Sequence, residues 1–300
     1  MQTRRRFLQY SMLAAGAAVL VPGWAKGAGN GPEKRVDPLG DAFARIERDS
    51  GGRLGVALHD ASGRRLAGHR EDERFPMCST FKFLLAAAVL QGVDQGRLQL
   101  AQRVPVAKSD LVGNSPETGK HVGTAGMSVA ELSRATLIWS DNAAANLLLP
   151  LVGGPLGLTA FLRASGDPTT RSDRTEPTLN EFASGDDRDT TTPAAMAGNL
   201  RRFLLGDVLS PASRQQLTAW LRDNRTGDAR LRAGLPAGWG IGDKTGFNGE
   251  DTSNDIGILW PPGSGSPLLL TAYLQGAKVP PEGQNKALAA VAAAVATAHG

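Results

Sequence analysis

Apolar positions change period along this chain. In "DPLGDAFARIERDSGG", Leu39, Phe43 and Ile46 recur at helical spacing and Gly51-Gly52 end the run, which predicts an amphipathic helix. "RLGVALHD" and "RRLAGHR" switch to the short runs of strands, and Ala61-Ser62-Gly63 between them predict a hairpin. Helical periodicity then dominates from Thr80 to about Trp220, with "SVAELSRATLIWSDNAAANLLLPLVG" the clearest pair of helices. Strand character returns in "GWGIGDKTGF", "NDIGILWPP" and "PLLLTAYLQG", and the Ala-rich "NKALAAVAAAVATAHG" ends the chain as a helix. Strands from both ends with helices between them predict an α+β layout: a sheet region built from both termini, an inserted helical region, and a cleft where the two meet. The polar stretch 167–189 carries neither period, and a connection of that length is functional or disordered.

The first residues read differently. Arg4-Arg5-Arg6, then Phe7-Leu8, then an apolar run from Met12 to Val21 predict a bacterial export signal over residues 1–28, with Thr3 to Leu8 fitting its twin-arginine form. A membrane anchor is the alternative, but the run is shorter than the ~20 apolar residues of a spanning helix. Removing residues 1–28 takes away four basic residues and no acidic ones, so 33 − 4 = 29 basic residues face 29 acidic ones. The mature chain is neutral and has no basic stripe, so no nucleic-acid partner is expected. Nothing beyond residue 28 suggests stable membrane insertion, and nothing points to an oligomer, so a monomer is expected. Cys78 is the single cysteine, which excludes an intrachain disulfide, and the four histidines lack metal-ligand spacing. Neither a metal nor a cofactor is expected.

Candidate chemistry begins in "MCSTFKFLLAAAVL". Pro76 keeps "RFPMCS" out of a helix, so Ser79 falls near a first helical turn, where backbone N–H groups are unpaired and negative charge is favoured. Lys82, at i+3, shares its face. Desolvated by Phe81, Phe83, Leu84 and Leu85, its amine pKa is driven down, and such an amine can take a proton from serine. By itself Ser-x-x-Lys equally describes an N-cap serine and a solvated lysine. Ser140-Asp141-Asn142 in "WSDNAAANLLL" alone is a helix cap, and Lys244-Thr245-Gly246 in "IGDKTGFNG" alone is a surface turn.

Together, in this order, the three stretches resemble the motif set of class A serine β-lactamases and penicillin-binding proteins. "RSDRTEPTLNEFASGDDRDTT" favours the β-lactamases, since Glu176-Pro177 and Asn180 match their Glu-x-x-x-Asn loop, and Arg174 and Asp189 match the ion pair that closes it. The chemistry accounts for the added loop: releasing an acyl-enzyme needs a water activated by a carboxylate and held by an amide. The resemblance covers the mature chain and implies an antiparallel sheet flanked by N- and C-terminal helices (33–78 and 226–300) with an inserted all-helical domain (79–225). It implies hydrolysis of a β-lactam as substrate, antibiotic resistance and a periplasmic location. By position, Ser79 is the nucleophile, Lys82 its proton partner and Ser140 the proton relay to the departing ring nitrogen. Glu176 and Asn180 activate and place the water. Asn142 binds the substrate side-chain amide, Lys244, Thr245 and Gly246 line the carboxylate subsite, and the N–H groups of Ser79 and Phe247 form the oxyanion hole.

The match departs from the family in several places. Phe247 and Asn248 stand where a small residue and often glycine are usual, leaving the substrate range open. Asn114 replaces a common aromatic at the cleft edge. The strand with "DTSND" has no arginine for the substrate carboxylate, which makes Arg230 the candidate and Arg232 structural. Cys78 reads as a small core residue. A cell-wall D,D-peptidase that β-lactams inhibit, or a β-lactam sensor, shares Ser79, Lys82, Ser140 and Lys244, so these residues do not discriminate. Glu176 and Asn180 do. The acylation base is open between Lys82 and Glu176.

Overall fold

In a computed structural model of the chain, residues 38–299 are described, apart from 184, 264 and 265. The expected export signal lies outside these residues.

The helix expected first is α1 (Pro38–Ser50), ended by Gly51 at φ 67°, a left-handed conformation that costs glycine little. Strands β1 (Arg53–Asp60) and β2 (Arg65–His69) form the expected hairpin. Asp60 Oδ1 accepts the N–H groups of Ser62 and Arg64 at 2.9 and 3.0 Å, an Asx-type turn. Strand β3 (Phe75–Pro76) leads through a 3-10 turn at Cys78–Thr80 into α2 (Phe81–Asp94). The pair β4 (Arg103–Val104) and β5 (Met127–Ser128) precedes helices α3 (Val129–Ile138), α4 (Asn142–Leu148) and α5 (Gly154–Ala164). After β6 (Thr190–Thr191), which pairs with β3, come α6 (Pro193–Leu204) and α7 (Pro211–Arg222). The chain closes with β7 (Gly240–Phe247), β8 (Ser253–Trp260), β9 (Leu268–Gln275) and α8 (Pro281–His299).

The main sheet is antiparallel with strand order β2-β1-β9-β8-β7, so the first long strand sits beside the last and β7 forms an edge. Period-2 alternation divides its side chains between two cores. Ile256, Ile258, Leu269 and Tyr273 face the central helices, while Leu259, Leu270, Ala272 and Leu274 face α1 and α8. Helix α2 is apolar on nearly every side and is buried from Phe81 to Leu90, as befits the centre of the helical layer. One boundary differs from the sequence reading. Helix α8 starts at Pro281 rather than near Asn285, because proline is tolerated in a first turn and Glu282 suits the positive helix end.

Candidate active site

Ser79 lies in the turn between β3 and α2, where the edge strand β7 meets the helical layer. The approach is close: a Cβ on Gly246 would come within 2.7 Å of the Met77 carbonyl and 3.1 Å of Cys78 Cβ, so only glycine fits there. Two side chains at this junction hold strained backbone, Cys78 at φ 44° and Ser140 at φ 55°. Each such residue costs about 1–3 kcal/mol and persists only where its surroundings impose it.

Lys82 and Glu176 are both fully buried, with Nζ 2.9 Å from Oε1. The Ser79 hydroxyl stands between them, 2.9 Å from Lys82 Nζ and 3.2 Å from Glu176 Oε1. Lys82 also donates to the Ser140 carbonyl at 2.9 Å, Ser140 Oγ at 3.3 Å and Asn142 Oδ1 at 2.5 Å. Burial pushes its amine pKa down from the ordinary lysine value, with Glu176 opposing the shift. Across the cavity Lys244 donates to Ser140 Oγ at 3.1 Å and to the Thr245 carbonyl at 2.9 Å. Burial pushes Lys244 well below the usual lysine range, and Lys82, whenever it carries a charge, adds to the shift.

The loop from 173 to 189 presents Glu176. Asp189 accepts from the N–H groups of Asp173 and Arg174 at 2.7 and 3.0 Å and from Arg174 Nε at 2.6 Å, so the expected ion pair closes the loop. Asn180 Nδ2 donates to Glu176 Oε2 at 2.8 Å, while Asn180 Oδ1 is buried without a hydrogen-bond partner among the described residues. The Glu176-Pro177 peptide is cis. Asn146 escaped the sequence reading. Its Nδ2 donates to the Glu176 carbonyl at 2.9 Å and its Oδ1 accepts the Glu176 N–H at 3.0 Å. The available signal was its place four residues after Asn142 on one polar stripe of an Ala/Leu helix.

The remaining candidates surround the same space, a cavity of about 580 Å³ lined by Ser79, Ser140, Asn142, Glu176, Asn180, Thr245, Gly246, Phe247, Asn248 and Arg230. A larger cavity of about 690 Å³, beyond the loop at Arg53, Arg74 and Asp187, holds none of them. Asn142 is tied at both ends, to Lys82 and, through Nδ2, to the Gly113 carbonyl at 2.6 Å. Asn248 N donates to Thr252 O, and antiparallel alternation therefore turns the Phe247 N–H away from β8, toward the open edge of β7. Arg230 reaches the cavity with Nη1 on the Gly246 and Asn254 carbonyls (2.7 and 2.9 Å) and Nε on Asn285 at 2.9 Å. Arg232 donates to buried Asp243 at 2.5 Å, the structural role expected of it. Asn114, also at positive φ, turns its amide inward to the Ser140 carbonyl at 2.8 Å. Cys78 is buried, and burial pushes its thiol pKa up, away from the reactive thiolate.

A serine flanked by a desolvated amine and a buried carboxylate, with an edge-strand N–H nearby, is the equipment of a serine hydrolase working through an acyl-enzyme. Comparison with known proteins specifies the family. A model described as "Beta-lactamase enzyme family" matches residues 38–299. Beta-lactamase L2 of Stenotrophomonas maltophilia is 53% identical over 97% of this chain and 97% of its own. Beta-lactamase CTX-M-8 of Citrobacter amalonaticus is 49% identical over 83% of this chain and 85% of its own. Among solved structures, a β-lactamase from Xanthomonas campestris pv. campestris superposes with a TM-score of 0.86 at 62% identity, covering 88% of this chain and 98% of that one. An ancestral class A β-lactamase gives a TM-score of 0.84 at 59% identity, covering 87% and 99%. The chain belongs to the class A β-lactamase family.

Proposed function

We propose that the chain hydrolyses the amide bond of β-lactam antibiotics through an ester on Ser79. The observation that carries this is the Ser79 hydroxyl held between Lys82 Nζ and Glu176 Oε1. Proton bookkeeping gives Lys82 its part. The Ser140 carbonyl accepts only, and so does Asn142 Oδ1, whose amide orientation is fixed by Nδ2 donating to Gly113. A neutral Lys82 has two protons for these oxygens and a lone pair that can face Ser79 Oγ, whereas a charged Lys82 gives its third proton to Glu176 Oε1 at 2.9 Å. Burial favours that neutral form. Glu176 also lies within reach of the hydroxyl, so either group can receive its proton.

Ser79 Oγ then bonds to the lactam carbonyl carbon. The developing oxyanion takes the N–H groups of Ser79 and Phe247, each such donor being worth about 3–4 kcal/mol. As the ring C–N bond breaks, Ser140 hands its proton to the nitrogen and is reprotonated from Lys82 or Lys244, its two amine neighbours. Once esterified, Ser79 no longer donates to Glu176, and Oε1, still 2.9 Å from Lys82 Nζ, can take a proton from a water. Asn180 fixes Oε2 and offers its own unpaired Oδ1 to the same water. Lys244, Thr245, Gly246 and Arg230 receive the substrate carboxylate, and Asn142 the side-chain amide.

The segments 33–78 with 226–300 act as the sheet domain and 79–225 as the helical domain, with the reaction at their junction. The pattern of residues 1–28 supports export to the periplasm by the twin-arginine route as a cleaved signal, and the working form is a monomer. The test is turnover of a chromogenic cephalosporin by the mature chain beside Glu176→Ala. The wild type is expected to turn over, and the variant to stop as an acyl-enzyme seen by intact-mass spectrometry. A long-lived adduct on the wild type would instead indicate a D,D-peptidase, and equal turnover by the variant would refute the role of Glu176.

A further inference from the structure

Asn248 and Gly249 form the turn that leaves β7, and both line the cavity. The sequence has one other Asn-Gly pair, Asn30-Gly31, outside the described residues. An asparagine followed by glycine is chemically exposed, because no side chain shields the next backbone nitrogen. Gly249 has φ 95° and is exposed, and a Cβ there would meet nothing within 4 Å, so no neighbour crowds this peptide.

The turn arranges the reacting groups. Asn248 Oδ1 accepts the N–H groups of Glu250 and Thr252 at 2.9 and 3.0 Å. This Asx geometry folds the side-chain carbonyl back over the peptide that follows. Two donors on one carbonyl oxygen polarise its carbon and stabilise the oxyanion formed by addition to it. Asn248 Nδ2, the leaving amine, is held 3.1 Å from Asp251 Oδ1. The three elements of an amide-cleaving site therefore surround Asn248 itself: an unshielded nucleophile, an oxyanion cradle and a tethered leaving group.

We propose that Asn248 is a site of spontaneous deamidation that places a negative charge at the rim of the substrate cavity. Gly249 N loses its proton to solvent and bonds to Asn248 Cγ. The Cγ–Nδ2 bond breaks, and the nitrogen leaves as ammonia after taking up a proton. Water then opens the cyclic imide at either carbonyl, giving aspartate or isoaspartate, with no oxidant or reductant involved. The new carboxylate faces Asp251, so a hydrogen bond becomes a repulsion between like charges. It also shares the cavity with Arg230 and Thr245, where a substrate carboxylate is to bind. That consequence, unlike the modification, rests on the β-lactam reading of the cavity.

The experiment ages the purified mature wild type and Asn248→Gln in mildly alkaline buffer. Residue 248 is followed by peptide mapping, and KM for a carboxylate-bearing chromogenic β-lactam is measured on fresh and aged samples and on Asn248→Asp. The wild-type peptide should gain the small mass that replacing –NH2 by –OH adds, in two chromatographically distinct forms. KM should rise on the order of fivefold toward that of Asn248→Asp, while the aged glutamine variant keeps its fresh KM. No mass gain at 248, while an unfolded peptide of the same sequence deamidates, would overturn the proposal, because the turn would then protect the amide. A mass gain with unchanged KM would overturn its functional half. Absence of turnover by fresh enzyme would count against the β-lactam reading and leave the mass measurement decisive for the modification.

Discussion

Replacing Asn146 by alanine removes the two hydrogen bonds, 2.9 and 3.0 Å long, that join α4 to the backbone of Glu176. Each contributes about 1 kcal/mol net, so the pair is worth about 2 kcal/mol, and more if the freed groups stay dry. They have little access to water, since Glu176 is 3% exposed. If the whole loss displaces the Glu176 carboxylate from the acylated Ser79, deacylation slows about thirtyfold. Acylation suffers less, because Ser79 and Lys82 are held by the turn before α2 and by α2 itself. Stopped-flow hydrolysis of a chromogenic cephalosporin by Asn146→Ala should therefore show a burst of about one equivalent and then a slow steady state. Intact-mass spectrometry during that phase should find the adduct on Ser79. A steady-state rate within about threefold of wild type, with no adduct, would refute the reasoning. The Arg174–Asp189 pair and the loop's own hydrogen bonds would then suffice to hold it.

Asp189→Ala strands Arg174 and two backbone N–H groups, a loss of about 3 kcal/mol or more. Thermal unfolding should show Tm lower by about 6–12 °C. Asn114→Ala deletes the donor to the Ser140 carbonyl from an exposed position, so it should lower kcat about fivefold with KM little changed, as steady-state kinetics will show. Burial works against the charge of Glu47, yet the Arg70 guanidinium, the Leu54 N–H and His69 hold its pKa down to about 2. A depressed carboxylate contributes stability above its unfolded pKa and loses it as pH falls. Denaturant titrations should find Glu47→Gln less stable than wild type at neutral pH, with the gap closing between about pH 4.5 and pH 2.

The elements with clear periodicity were legible in the sequence because their apolar patterns are what the two cores bury, Phe43 and Ile46 on α1 being one case. Ser79, Lys82, Ser140, Glu176 and Lys244 were legible as short motifs, and Lys82 also as a charge inside an apolar helix. Asn146 was not. Its partner is the backbone of a loop thirty residues away, and a backbone partner leaves no trace in the sequence of that loop. The inward turn of Asn114 was hidden for a similar reason, since it depends on a positive φ that asparagine permits without announcing. Arg230 was named for the substrate carboxylate, and the sequence could not reveal that Nη1 and Nε already hold β7, β8 and α8.

The pairing of β1 with β9 makes the order of synthesis matter. Two neighbours in the sheet are separated in sequence by all the other strands, from Arg53 ↔ Gln275 to Asp60 ↔ Leu268. A ribosome must add everything from β3 to β9 before the β1–β2 hairpin finds its companion. Until then β1 offers one unsatisfied side, open to any stray strand. Joining ends so distant is also slow, because a very long loop must close before the contact repays it. Nascent molecules therefore spend their most vulnerable interval waiting for their own tail, and truncations ahead of β9 should be found in inclusion bodies rather than as partly active fragments.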